Sequence, residues 1–176
     1  MERKDCVELG YISKAHGIRG EVKAVFDVYD LREYLQEKRF FLAKPEEPLK
    51  SFAVRSMRVV KNTEVILGFQ GIQYRDEAEV LKGSTIFFPI AELPELPDGH
   101  FYFFQVIGYQ VVDQTHGELG PVKGIYDGTA QDILTFEHQG KEVLLPITDE
   151  FVLRADHEAR IIHTAIPEGL LETYLE

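Results

Sequence analysis

Lys14-Ala15-His16-Gly17-Ile18-Arg19-Gly20-Glu21-Val22-Lys23 is a polar, glycine-marked reversal set between apolar runs. Val7 and Ile12 come before it. Val22, Ala24 and Phe26 follow at a spacing of two, a pattern that predicts a strand, a turn and a returning strand. Gly17 and Gly20 free the backbone for positive φ or for close approach to another surface. Lys14, His16 and Arg19 put cations and hydrogen-bond donors on that reversal, and Lys23 continues them along the returning strand. The stretch holds no nucleophile and no metal-ligand spacing. It is shaped to touch a partner, not to react with one.

The same alternation continues outward. Residues 7–12, 22–28, 40–43, 52–60, 64–69 and 85–89 read as strands, separated by turn signals at Lys44-Pro45-Glu46 and Lys61-Asn62. Two short helices are predicted. Residues 30–35 open on Asp30 as N-cap. Residues 75–83 carry acids early, Lys82 late, an inward pair Ala78 and Leu81, and Gly83 as the stop. Many short strands and few helices predict a small all-β barrel.

Pro94, Pro97 and Gly99 break regular structure and predict a linker over 93–99, between an N-terminal domain over 1–92 and a C-terminal domain over 100–176. In the second half, residues 101–106, 110–112, 120–126, 133–137, 142–146, 151–155 and 160–164 read as strands. Turns are expected at Thr115-His116-Gly117, Asp127-Gly128, Gln139-Gly140 and Asp156-His157, and a helical turn over 167–171.

Composition narrows the class. The chain has 176 residues, 44% of them hydrophobic, which suits one medium or two small packed domains. No run is long enough to span a bilayer, and the N-terminus leads into a strand instead of an apolar signal segment. Cys6 stands alone, so no internal disulfide can form; it reads as buried filler, and a reducing cytoplasm is the expected compartment. Net charge is −11 and is unevenly divided. Residues 1–95 hold 15 Lys and Arg against 16 Asp and Glu, whereas residues 96–176 hold 4 against 14. The second half therefore repels phosphate and attracts a basic partner, leaving the first half as the one suited to lie near nucleic acid. Solubility is the plainer explanation of the same charge.

Four clusters stand in order. They are the opening reversal; Tyr74-Arg75-Asp76-Glu77-Ala78-Glu79-Val80-Leu81-Lys82-Gly83; Phe101-Tyr102 with Val106-Ile107-Gly108; and Gly128-Thr129-Ala130-Gln131-Asp132-Ile133-Leu134, running on to Pro146 and Gly169-Leu170-Leu171. Together, over residues 7–171, they resemble the bacterial ribosome maturation factor RimM family. The resemblance implies an N-terminal six-stranded antiparallel barrel and a C-terminal PRC-type barrel. It implies a non-catalytic assembly factor that acts on the head of the immature small ribosomal subunit. Such a factor binds a basic ribosomal protein there and assists rRNA maturation, as a cytoplasmic monomer with no cofactor, no metal and no membrane contact.

The candidates for rRNA or ribosome contact are Lys14, His16, Gly17, Arg19, Gly20 and Lys23. By resemblance, Phe101 and Tyr102 are the candidates for ribosomal-protein binding. The family commonly has two Tyr at that place, an acidic residue and Leu at Gln105 and Val106, and Gly at Ser13. Plainer readings stand beside these. His16 serves equally as a turn histidine bonded to local backbone, and Arg19 as a weak surface partner of Glu21. Lys50, Arg55, Arg58 and Lys61 form a basic strip or a solvated face. Asp76, Glu77 and Glu79 are helix-terminal acids, and Asp132 caps a turn. If residues 101–106 form a strand, Phe101 and Phe103 share one face while Tyr102 and Phe104 share the other. Two rival functions remain: a PRC-type interaction module with a non-ribosomal partner, and a hydrolase that uses His16 with a carboxylate.

Overall fold

In the computed structural model, which describes residues 1–97, 100–126 and 128–176, the opening reversal is a hairpin. Strand β1 (Cys6–His16) runs into the turn and β2 (Glu21–Phe26) returns, with His16 opposite Glu21. β1 extends beyond residues 7–12 because a bulge between Ile12 and Lys14 resets the register and leaves Ala15 facing inward. Ser13 sits in that bulge and its Oγ donates to the Lys23 carbonyl at 3.0 Å.

Strands β3 (Arg39–Ala43), β4 (Lys50–Lys61), β5 (Glu64–Phe69) and β6 (Thr85–Pro89) complete a closed barrel in the order β1-β2-β5-β4-β3-β6. Every pairing is antiparallel, as the family resemblance implies. Closure removes the free edges that an open sheet of this size would expose. Ile12, Phe26, Phe40, Leu67, Phe69 and Phe88 fill the interior. Helix α1 (Arg75–Glu79) adds Ala78 to that core. Its start is fixed by Glu77, whose Oε2 accepts from the Gln73 and Tyr74 amides at 2.7 and 3.1 Å. The acids of this helix thus include a structural cap, which accounts for Glu77 without chemistry. Residues 31–34 form a 3-10 turn, with the Asp30 carboxylate accepting from the Arg32 amide as a cap.

A smaller cluster lies outside the barrel wall: Cys6, Phe41, Ala43 and Phe87, with Leu49 against them. Arg3 fastens the N-terminal segment over it. Its guanidinium lies 5.2 Å from the Phe87 ring centroid and donates to the Lys44 and Glu47 carbonyls. Burial pushes the Cys6 thiol pKa up, so the residue is filler, as expected.

The chain divides into two compact units, Met1–Glu95 and Leu96–Glu176. Asp98 and Gly99 of the expected linker, and Asp127 of the expected Asp127-Gly128 turn, lie outside the described residues. The second unit departs from the sequence reading at its start: residues 101–106 are not a strand. Helix α2 (Phe103–Val106) forms instead. Gln105 Oε1 accepts from the Tyr102 amide at 2.9 Å, Val106 is fully buried, and Gly108 stops the turn at φ +84°. A local cap and one buried anchor outweigh the strand preference of four aromatic residues.

Strands β7 (Gln110–Asp113), β8 (Gly117–Tyr126), β9 (Ile133–His138), β10 (Lys141–Pro146), β11 (Val152–Asp156) and β12 (Ile161–Thr164) form a six-stranded sheet in the order β10-β9-β8-β7-β12-β11. Among the described residues the ladder ends at β10 and β11. The β12–β7 pair is parallel, which alternation alone does not reveal. Val111, Leu134, Phe136, Leu145 and Ile162 form the core, and helix α3 (Leu170–Leu175) closes on it through Leu171. Gly169 opens that helix at φ +86°.

Asp113 holds the parallel junction. Its Oδ1 accepts from Thr164 Oγ1 at 2.9 Å and from the Ile166 amide at 2.7 Å. Its Oδ2 accepts from the Thr115 amide, the His116 amide and His116 Nδ1. Burial pushes this carboxyl up, but hydrogen bonds from Ile166, His116 and Thr115 outweigh it and leave the pKa lowered to about 2.

Candidate functional site

The hairpin turn is held from below by two guanidinium groups. Arg75 Nη1 donates to the Gly17 carbonyl at 2.9 Å, and its Nε pairs with Glu79 at 3.3 Å. Arg55 Nη2 donates to the Arg19 carbonyl at 3.2 Å. Arg55 reaches that carbonyl across Gly68 of β5, where a Cβ would lie 3.0 Å from Arg55 Nη2 and 2.6 Å from Ser56 Oγ. A glycine at 68 therefore opens the path for the arginine. Both arginines are exposed and keep donors for an incoming anion. The sequence reading left Arg55 to a basic strip or a solvated face and placed Arg75 in a structural helix. The missing signal was the register that brings β4 and the start of α1 beneath the turn.

Gly17 and Gly20 have different tasks. Gly17 adopts φ +64° in open space; Gly20 adopts φ +77°, and a Cβ there would lie 2.6 Å from the Ile72 carbonyl oxygen and 2.9 Å from the Gln73 carbonyl carbon. Gly17→Ala should cost about 1 kcal/mol of conformational strain. Gly20→Ala should cost about 2–4 kcal/mol, because the backbone it meets cannot swing aside. Chemical denaturation of the two variants checks this, and equal effects would contradict it.

Lys14, His16 and Arg19 are exposed, and Ile18 stands at the apex, 79% exposed. Among the described residues His16 makes no hydrogen bond to a carboxylate. Lys23 is half-buried and paired with Glu64 at 3.3 Å, so among the described residues it is the turn candidate whose side chain is held in an ion pair.

In the second unit, Phe101 and Tyr102 are half-buried. Phe101 packs against the core. Tyr102 stacks on Phe104, with ring centroids 5.8 Å apart and planes 19° apart, and Phe101 tilts against Phe103 at 6.3 Å. The pairing at a spacing of two, expected from a strand, therefore holds across the entry into α2. Phe103, Phe104 and Ile107 are 39%, 41% and 44% exposed, so the aromatic surface extends beyond the two positions singled out from sequence. Near it, the Arg160 guanidinium lies 5.1 Å from the Tyr109 ring centroid. The Asp132 carbonyl accepts from the Ile147 amide at 2.8 Å, a bond that ties its loop to the segment after β10.

The family model for the RimM N-terminal domain matches residues 7–93, and the model for the RimM PRC barrel domain matches residues 103–170. The curated "Ribosome maturation factor RimM" of Christiangramia forsetii is 33% identical over 99% of this chain and 99% of its own length. The protein of the same name from Oleidesulfovibrio alaskensis is 38% identical over 96% of each. A solved RimM structure from Pseudomonas aeruginosa, 28% identical, covers 93% of this chain and 98% of that chain with a TM-score of 0.47.

Proposed function

This chain belongs to the RimM family, and on that premise we propose that it is a ribosome maturation factor that binds the head of the immature small ribosomal subunit. One observation carries the division of labour. The boundary between the two compact units coincides with the break in charge, so the second unit holds 4 Lys and Arg against 14 Asp and Glu while the first is near neutral. The second unit, acidic and bearing the exposed aromatic surface, holds a basic ribosomal protein. The first unit presents its arginine-braced turn to the neighbouring rRNA. The action is binding without catalysis, in the cytoplasm: holding one conformation of the assembling head lowers its free energy and shifts the population toward it. In support, the turn offers donors and cations with no acid–base pair. No helix of the described residues is long and apolar enough to cross a membrane.

A pull-down with the full chain should retain free small subunits and leave mature ribosomes in the flow-through. Retention should fall steeply between about 50 and 300 mM salt, since an acidic module meets a cationic client. Equal retention of both particles, or a flat response to salt, would remove this reading.

A further inference from the structure

The register of the first barrel places cations where single strands do not show them. Lys14 of β1 lies opposite Lys23 of β2, Lys23 opposite Ile66 of β5, and Ile66 opposite Arg58 of β4. Their chain neighbours Ala15, Val22, Leu67 and Met57 face the core, so this row lies on the outer wall. Ile66 is nonetheless 1% exposed. Lys23 and Arg58 flank it in register on the two neighbouring strands, positions from which long basic stems cover an apolar neighbour.

The rows on either side extend the pattern. Toward the turn come His16 and Arg55, and beyond it Arg19 and Arg75. Away from the turn, Lys61 lies at the end of β4, and Tyr11 of β1, 51% exposed, lies opposite Val25. The acids in and beside these rows are Glu21, Glu64 and Glu79; Glu64 is paired with Lys23 and Glu79 with Arg75. Among the described residues Lys14, Arg58 and Lys61 carry no ion pair. The opposite wall of the same barrel is different: the N-terminal segment and residues 44–49 cover Cys6, Phe41 and Phe87 there.

We propose that the outer wall formed by β1, β2, β5 and β4 is an RNA-backbone-binding surface, with Lys14, Lys23 and Arg58 as its central row. This rests on the reading of the first unit as the RNA-facing one and extends contact from the turn to a whole face of the barrel. With strands roughly 5 Å apart, Lys14 and Lys23 stand one spacing apart and Lys23 and Arg58 two, across Ile66, so rigid strands fix the positions of the cations that a chain of phosphates would meet. An exposed tyrosine ring at its margin offers a stacking platform for a base. The apolar residue of the central row, Ile66, is 1% exposed, so the row presents no open apolar patch of the kind at the centre of a protein interface. A chain with net charge −11 gains such binding from local geometry, so affinity should be modest and strongly salt-dependent.

The test measures fluorescence anisotropy of a labelled transcript of small-subunit head rRNA against the full chain, with small-subunit pull-down run in parallel. Lys14→Glu with Arg58→Glu should lower affinity at least tenfold at about 0.1 M salt and reduce the salt slope by roughly 1 to 2. Lys4→Glu with Lys44→Glu makes the same charge change in the segments that cover the opposite wall and should leave binding within about twofold of wild type. Lys14→Gln with Arg58→Gln, which adds no new charge, should give a smaller loss in the same direction and serves if the reversal variant misfolds. Absence of RNA binding by the wild-type chain, or equal losses in the wall and control variants, overturns the assignment. Wall-dependent RNA binding without small-subunit retention would instead sink the assembly reading and leave this one standing.

Discussion

Asp113→Ala should unfold the second unit at temperatures where the first remains folded. Five donors converge on that carboxylate, and the side chain is wholly shielded from water. Alanine leaves the Thr164 hydroxyl and the Ile166 amide without their acceptor, which should cost about 3–5 kcal/mol. In a unit of this size that lowers its melting midpoint by about 15 °C or more. Asp113→Asn keeps the shape but turns an NH2 toward donors, so it should recover only part of the loss. Calorimetry of the full chain resolves the two units, and a second transition within about 1 kcal/mol of wild type would show the network to be incidental.

The same carboxyl gives the pH response a sign. Its pKa is lowered from the ordinary 3.8 to about 2 in the folded chain. The stabilisation is fully present above about pH 4 and is lost as pH falls through about 2. The amount lost is about 2 kcal/mol, and it should vanish from the acid-unfolding curve of Asp113→Asn.

Asp113 also shows where sequence reading stops. Thr115-His116-Gly117 was legible as a turn, yet nothing in it says that the preceding acid reaches Thr164 and Ile166, some fifty residues on. That contact depends on β7 pairing in parallel with β12, a long-range choice that alternation does not encode. The first barrel was far more legible. β2 alternates between core and surface, β3, β5 and β6 are short apolar runs, and neighbours in sequence pair in space at β1–β2 and β4–β5. Even so, the arginines that brace the turn come from β4 and α1, elements that closure of the barrel brings to the hairpin. The basic wall was hidden for the same reason. Lys14, Lys23 and Arg58 are scattered in sequence and form a row only once β2 pairs with β5. The misreading of residues 101–106 has a different cause. Four aromatic residues carry strand propensity, while the decisive features, a Gln105 cap and a single buried Val106, weigh little in any propensity sum.

On the function proposed above, replacing Tyr102 and Phe104 together by alanine should weaken binding of the full chain to a basic ribosomal protein of the head by about 100-fold or more, the scale of a paired aromatic anchor. Stacking singles out this pair, with half-buried Tyr102 backing the exposed Phe104. Phe104 projects from α2 beside Phe103 and Ile107, and the Tyr102 ring backs it, so a partner gains apolar contact against a surface that is already ordered. Phe101→Ala should behave otherwise: its ring packs on the core, so truncation should cost about 2–3 kcal/mol of unit stability and a smaller share of affinity. The two substitutions therefore separate anchoring from packing, although the residues are neighbours. Titration calorimetry with the purified ribosomal protein, alongside denaturation of each variant, reads both quantities. Kinetics add a further distinction. Loss of the ring pair should raise the dissociation rate, whereas added salt should mainly slow association, because the acidic unit steers the encounter before the rings engage. A folded Tyr102→Ala, Phe104→Ala variant with wild-type affinity would mean that charge alone holds the client.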